Sequence, residues 1–165
     1  MILRVAKFAL AGGLALNHAL VVLNNLTDYD SNYQFVRHVL IMDTTFPGNR
    51  LMWRAIHAPA VHALFYAAII ACECASMALL WIGTAQMGRR LRGSAAQFQA
   101  AKKWAIAGLT LSATIWLVAF LSVGGEWFAM WQSKIWNGQD AAFRMFCVTG
   151  IVLLLVAQRE EEPRL

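Results

Sequence analysis

The sequence has few charged residues. Only 14% of its 165 residues are Asp, Glu, Lys or Arg, whereas 59% are hydrophobic. A soluble domain carries roughly a quarter charged residues, so this chain lacks the polar groups that would cover a globular surface in water. The composition excludes an ordinary soluble domain and indicates an integral membrane protein.

Cysteine and recognisable catalytic motifs are also scarce. Cys72, Cys74 and Cys147 all lie within hydrophobic runs, so no disulfide framework is expected. The sequence contains no nucleotide-binding loop, no Ser or Cys triad and no paired-carboxylate motif. We therefore expect a protein that is not an independent hydrolase and favour a non-enzymatic role.

The net charge of +5 does not indicate nucleic acid binding, because the basic residues lie in short clusters between apolar runs. Clusters of this kind are typical of membrane topology. The expected partner is the lipid bilayer, with other membrane proteins or further copies of the chain as additional partners.

Four apolar runs approach or exceed the ~20 residues that a helix needs to cross hydrocarbon. They cover about residues 5–26, 56–83, 104–124 and 141–157. Asn17 and His18 interrupt the first run, which favours an uncleaved helix over a signal peptide. The pattern predicts an all-α membrane protein, a single domain built as a bundle of four transmembrane helices.

The distribution of Lys and Arg outside the runs predicts the orientation. Nine basic residues fall on the side of the two termini and five on the other. The nine are Arg4, Lys7, Arg89, Arg90, Arg92, Lys102, Lys103, Arg159 and Arg164. Positive charge accumulates on the cytoplasmic side, so both termini are predicted to be cytoplasmic, and residues 159–163 are interpreted as a solvated tail.

The two connections on the other side are predicted to carry short interfacial helices. The first places Phe35, Val36, Val39 and Leu40 at helical spacing, as in an amphipathic helix resting on the membrane surface. In the second, residues 124–125 are two glycines that should end the third helix, and several aromatic residues follow, as at a membrane interface.

These connections resemble a known bacterial family. The resemblance is carried by NNLTDY (24–29), FVRHVL (35–40), MDTTFP (42–47), WRAI (53–56), GEWFAMWQS (125–133) and WNGQ (136–139). The family consists of predicted small integral membrane proteins, catalogued as domain of unknown function 2165. The resemblance implies a four-helix, multi-pass protein of the bacterial inner membrane and brings no activity, cofactor or catalytic residue.

Glu73 lies near the middle of the second run, where a charged side chain costs roughly 3 kcal/mol. Such a carboxyl must be neutral, paired or in contact with a wet cavity. Asn17 and His18, near mid-depth of the first helix, are its expected partners. The group is interpreted either as a polar clasp between helices or as a functional proton, ion or quinone site.

The histidines allow a further alternative. His18 and His62 lie on neighbouring antiparallel helices, so they could ligate haem b between them. Their predicted depths differ by about 6 Å at 1.5 Å per residue, which counts against this ligation. No cofactor is therefore expected, with haem or quinone kept as the alternative, and no metal site is predicted.

A second polar set is expected outside the membrane, above the bundle. It comprises Arg37, His38, Asp43, Arg54 and Glu126. These side chains are interpreted as fastening the two connections, with binding of an exported ligand as the alternative.

Three functions follow from these residues. The first is an accessory or partner-binding subunit, supported by small residues along the spans that permit close helix contact. The second is a redox protein that handles haem or quinone through His18, His62 and Glu73. The third is a small ion- or proton-coupled transporter that uses Glu73.

Overall fold

The structure is a computed structural model that describes residues 1–160. It contains six α-helices: α1 (Ile2–Thr27), α2 (Tyr29–Ile41), α3 (Pro59–Arg89), α4 (Ala95–Ala101), α5 (Lys103–Thr114) and α6 (Gln139–Ala157). A π-helix, Ile115–Trp127, continues α5, and 3-10 turns lie at Met52–Arg54 and Met130–Gln132. Residues 1–160 contain no β-strand.

Four helical segments are long and apolar enough to cross a membrane: α1, α3, Ala95–Trp127 and α6. This confirms the predicted all-α architecture with four candidate transmembrane helices. Because the four segments alternate in direction, both chain ends lie together, and Arg4 Nε is 3.4 Å from Glu160 Oε2. We call this the terminal end of the bundle and the opposite side the loop end.

The core of the bundle depends on a close approach of α3 and α5. A Cβ atom at Gly83 would overlap the backbone of Ala105, and one at Gly108 would lie 2.9 Å from Leu80 Cγ. Leu80 and Ala105 are themselves fully buried. Small residues let helices in lipid gain packing energy where the hydrophobic effect supplies none, so this contact fixes how the two helices pack.

At the loop end, α2 packs over the bundle. Its buried residues Val36, Val39 and Leu40 join Tyr66 of α3 and Met130 of the second connection in one hydrophobic cluster. The second connection contains a single 3-10 turn between residues 128 and 138. Both connections therefore fold onto the helices as one layer.

Helix α3 begins later than the apolar run that predicted it. The run starts at Ile56, but residues 55–58 are not helical, and the Ile56 N–H donates to Leu40 O at 2.9 Å. Pro59 occupies the first turn of the helix, where its fixed φ and missing N–H are tolerated. The segment before it ties α3 to the end of α2.

The glycine pair was predicted to end the third helix, and this prediction is wrong. Gly124 and Gly125 lie inside the π-helix, which runs on to Trp127. A Cβ at Gly125 would overlap Gln139 Nε2 at the start of α6. The absence of a side chain at Gly125 therefore leaves room for the Gln139 amide. A π-helix is usually a single turn and often marks a functional site.

At the terminal end, a cluster that we call the terminal clasp joins α1, the junction between α4 and α5, and the residues after α6. Its members are Arg4, Lys7, Lys102, Gln158 and Glu160. Glu160 Oε1 accepts hydrogen bonds from Lys7 Nζ at 2.5 Å and from Lys102 Nζ at 3.1 Å. Both ammonium groups also donate to Gln158 O, and both lysines are fully buried. Glu160 is thus not part of a solvated tail, and the residues after it lie outside the described ones.

The clasp controls the protonation of Glu160. Burial alone would raise the pKa of its carboxyl, but hydrogen bonds from Lys7 and Lys102 and their charges outweigh burial and hold that pKa below its ordinary value of 4.5. Removing the carboxylate would leave two buried lysines without their counter-charge, which is costly.

The clasp predicts that Glu160→Gln lowers the thermal unfolding temperature in detergent by several degrees at pH 7. A depressed pKa contributes stability that is full above about pH 4.5 and is lost as the pH falls through the folded value. The difference in unfolding temperature between the wild type and the variant should therefore disappear as the pH falls below 4.5. Glu126→Gln, at an exposed position in the last turn of the π-helix, is the control. Equal stability of Glu160→Gln and wild type at pH 7 would contradict the assignment.

Candidate intramembrane polar site

Two pairs of polar residues face the interface between α1 and α3. His18 and Asn25 are seven residues apart on α1, and Tyr66 and Glu73 are seven apart on α3, so each pair shares one helix face. All four are buried, whereas lipid-facing positions of α1 such as Leu20 are about half exposed. The helices therefore turn their polar groups toward each other.

Glu73 is bound by Asn25. The Asn25 Nδ2 donates a 2.5 Å hydrogen bond to Glu73 Oε2, and only 5% of the Glu73 surface is exposed. Glu73 Oε1 has no hydrogen-bond partner among residues 1–160, and no Lys or Arg of this range forms an ion pair with the carboxyl. One oxygen is thus available to a further group.

A hydrogen-bonded chain leads from the helix surface to this carboxyl. Asn32 Nδ2, on α2, donates to Asn25 Oδ1 at 2.7 Å, and Asn25 then donates to Glu73. Tyr66 Oη donates to the Asn25 carbonyl at 3.4 Å. Asn32 is exposed and Asn25 is buried, so the chain connects the loop end with the interior.

A cavity of about 240 Å³ lies against these groups. Its polar lining is Asn25, Asn32, Tyr66 and Glu73, and its other walls include the aromatic rings of Trp116 and Phe120 from the π-helix. The two rings lie 4.8 Å apart. The arrangement places a carboxyl oxygen, amides and aromatic faces around one space.

Glu73 also lines a smaller pocket of about 10 Å³. Asn17, His18 and Ser112 contribute to its lining, and its size is about that of one water molecule. The His18 ring is fixed there by Leu14 O at 2.9 Å and Ser112 Oγ at 2.8 Å. Asn17 and His18 therefore lie close to Glu73, but the carboxyl bonds to Asn25 instead.

His62 lies apart from this site. Its Nε2 is bonded to Ile56 O at 2.8 Å, and its Nδ1 is buried without a hydrogen-bond partner within residues 1–160. It is eleven residues from Glu73 on the same helix, about 16 Å at 1.5 Å per residue. In the described part of the chain, no three His, Cys, Asp or Glu side chains come together in a group that could hold a metal ion.

The expected outer cluster is divided into separate contacts. His38 bonds to Asp43 Oδ2 at 2.7 Å and stacks on Trp136, with ring centroids 4.6 Å apart. Arg37 donates to Gln34 on its own helix. Of the expected cluster, the structure therefore brings His38 and Asp43 into contact, whereas Arg37 bonds within its own helix.

Arg54 links the two connections. It donates to Trp127 O at 3.1 Å, and its guanidinium lies over the rings of Trp53 and Trp127. Glu126 is exposed and forms no ion pair with the residues that the structure describes. This geometry matches fastening of the loop layer better than a convergent ligand site.

Asn25, Asn32 and Tyr66 were not identified as site residues from the sequence. One signal for two of them was present, because Asn25 and Tyr66 each lie seven residues from a polar residue already singled out, His18 and Glu73. Asn32 had no such signal, since its role depends on how α2 folds back over α1.

Comparison with known families agrees with this architecture. The sequence profile of the family described as predicted small integral membrane protein (DUF2165) matches residues 3–159. The chain belongs to this family. The DUF2165 match spans all four candidate transmembrane helices and the residues of the polar site. No curated protein and no solved structure matches the chain.

Proposed function

We propose that the chain is a proton- or small-cation-handling protein of the bacterial inner membrane, with both termini in the cytoplasm. The observation that carries the proposal is the buried Glu73 carboxyl, with one oxygen held by Asn25 and the other without a partner beside a 240 Å³ cavity. Glu73 would be the group that takes up and releases the ion.

The electrostatics of the site supports binding of an exchangeable proton or cation at Glu73. A carboxylate in a low-dielectric interior is costly unless it is protonated or paired with a cation. No Lys or Arg among residues 1–160 pairs with Glu73, so the compensating charge would come from a proton or from a cation in the cavity. Aromatic faces such as those of Trp116 and Phe120 also favour small organic cations.

The hydrogen-bonded chain supports an access route. Asn32 is exposed at the loop end, and Asn25 connects it to the carboxyl. An ion arriving at Asn32 would meet polar atoms at each step rather than bare hydrocarbon. A bundle of this size would enclose a full pathway across the membrane only with the help of further copies or partners.

Replacement of the carboxyl tests this proposal. In proteoliposomes with a trapped pH-sensitive dye and an imposed membrane potential, Glu73→Gln should reduce protein-dependent proton flux at least about tenfold, because the amide cannot titrate. Glu126→Gln removes an exposed carboxyl at the end of the π-helix and should leave the flux unchanged. Equal flux in wild type and Glu73→Gln would overturn the assignment.

A second candidate is an accessory or partner-binding subunit. Its support is a stripe of alanines on α3, at positions 67, 71, 75 and 78, all of them exposed. Small residues at such spacing let another transmembrane helix approach closely, whether from a different protein or from a second copy of the chain.

Bulky substitutions on the alanine stripe test the accessory-subunit function independently of the proposed ion site. Ala71→Leu together with Ala75→Leu should displace a helix seated there, so that the partner or second copy retained in mild detergent is lost. Ala107→Leu alters an exposed alanine of α5 and is the control. Retention of the same partner by both variants, measured by native mass spectrometry, would rule out the stripe as an interface.

The redox alternative has less geometric support. Both ring nitrogens of His18 are hydrogen-bonded, and His62 is bonded to Ile56 O. Ligation of haem by these imidazoles would require His18 to give up one of its bonds. An absorption spectrum of the protein purified from its native host distinguishes this alternative from the other two.

A further inference from the structure

Six of the basic residues at the terminal end fall into two groups with different surroundings. Arg4, Lys7 and Lys102 belong to the terminal clasp and contact Glu160. Arg89, Arg90 and Lys103 are exposed, and none of these three forms an ion pair with a carboxylate of residues 1–160. The second group therefore presents uncompensated positive charge.

These three residues line one groove. A space of about 480 Å³ lies at the corner where α3 ends and α4 and α5 begin, and its lining includes Gln86, Arg89, Arg90, Gln97, Lys103 and Trp104. The lining contains no acidic residue. Two arginines, one lysine and two glutamines thus line a single open site.

The amide groups add hydrogen-bond donors to this charge. The Gln97 Oε1 accepts from the Ser94 backbone N–H at 3.1 Å, which orients the amide and leaves its NH₂ group free to donate. Arg supplies forked donors that match phosphate oxygens, and Lys supplies a point charge. The groove therefore has the chemistry of a phosphate site.

Apolar surface continues directly from the groove into the span. Ile82, Gln86 and Arg89 follow one another at helical spacing on one face of α3, and Ile82 is 47% exposed. Trp104 is 38% exposed, with Lys103 Nζ 4.9 Å from the centre of its ring. Exposed tryptophan at the end of a span is typical of the headgroup level of a membrane.

We propose that this groove binds the headgroup of an anionic phospholipid. The phosphate lies between Arg89, Arg90 and Lys103, and the acyl chains run along Ile82 and Trp104. Basic pockets between transmembrane helices bind anionic headgroups in this manner. The apolar continuation favours a lipid over free phosphate, since a soluble anion gains nothing from it.

Lipid binding by the detergent-purified protein tests the proposal. Native mass spectrometry should show phosphatidylglycerol retained at least about tenfold more tightly than zwitterionic phosphatidylcholine, since each nearby basic residue strengthens binding to an anionic lipid. The triple substitution Arg89→Gln, Arg90→Gln and Lys103→Gln should abolish that preference. Should the triple variant not fold, Lys103→Gln alone is expected to weaken the preference.

A matched control removes the same charge from the loop end. Arg50→Gln, Lys134→Gln and Arg144→Gln alter three exposed basic residues and should leave the preference intact. Equal binding of phosphatidylglycerol by the wild type and the groove variants would overturn the proposal, as would equal retention of phosphatidylcholine by the wild type. Displacement of the lipid by millimolar glycerol phosphate would assign the groove to soluble phosphates instead.

Discussion

The hydrogen bond between Asn25 and Glu73 is the interaction on which the rest of the structure depends. It joins α1 to α3 at 2.5 Å and offsets part of the free-energy cost of placing a carboxyl inside a span. Because lipid offers no hydrogen bonds to polar groups, the helices must turn these two side chains toward each other. That orientation in turn places Tyr66 at the same interface and sends apolar residues such as Leu20 to the lipid.

The two ends of the bundle are held together by different kinds of interaction. At the loop end, aromatic and apolar residues cover the helices, and Arg54 connects the two connections through the Trp127 carbonyl. At the terminal end, Glu160 gathers the buried Lys7 and Lys102. Arg89, Arg90 and Lys103 at the same end are exposed and form no ion pair with the residues that the structure describes. The clasp thus serves the fold, whereas the outward charges are free to contact the membrane surface.

The sequence could predict features that depend on the local pattern of residues. It could not predict features that depend on contacts between residues distant in the chain. The lengths of the apolar runs and their low charge were sufficient to predict four transmembrane helices. The free-energy cost of a carboxyl in lipid was sufficient to identify Glu73 as a candidate site residue. Its partner was missed because Asn17 and His18, near mid-depth of the first run, were expected opposite the carboxyl, whereas Asn25 forms the hydrogen bond. The π-helix was missed because the hydrophobic pattern alone does not distinguish its wider turns from those of an α-helix, and burial of Glu160 requires Lys7, 153 residues away.

The most direct measurement is a double-mutant cycle between Asn25 and Glu73, read from the free energy of unfolding in lipid-like micelles. Asn25→Ala should destabilise the wild type markedly and the Glu73→Leu background far less, with a coupling of about 1 kcal/mol or more for groups in contact. Asn24→Ala, on the exposed neighbouring position, should show no coupling. If Asn25 and Glu73 act independently, the contact that organises the bundle does not exist and the proposed ion site loses its foundation.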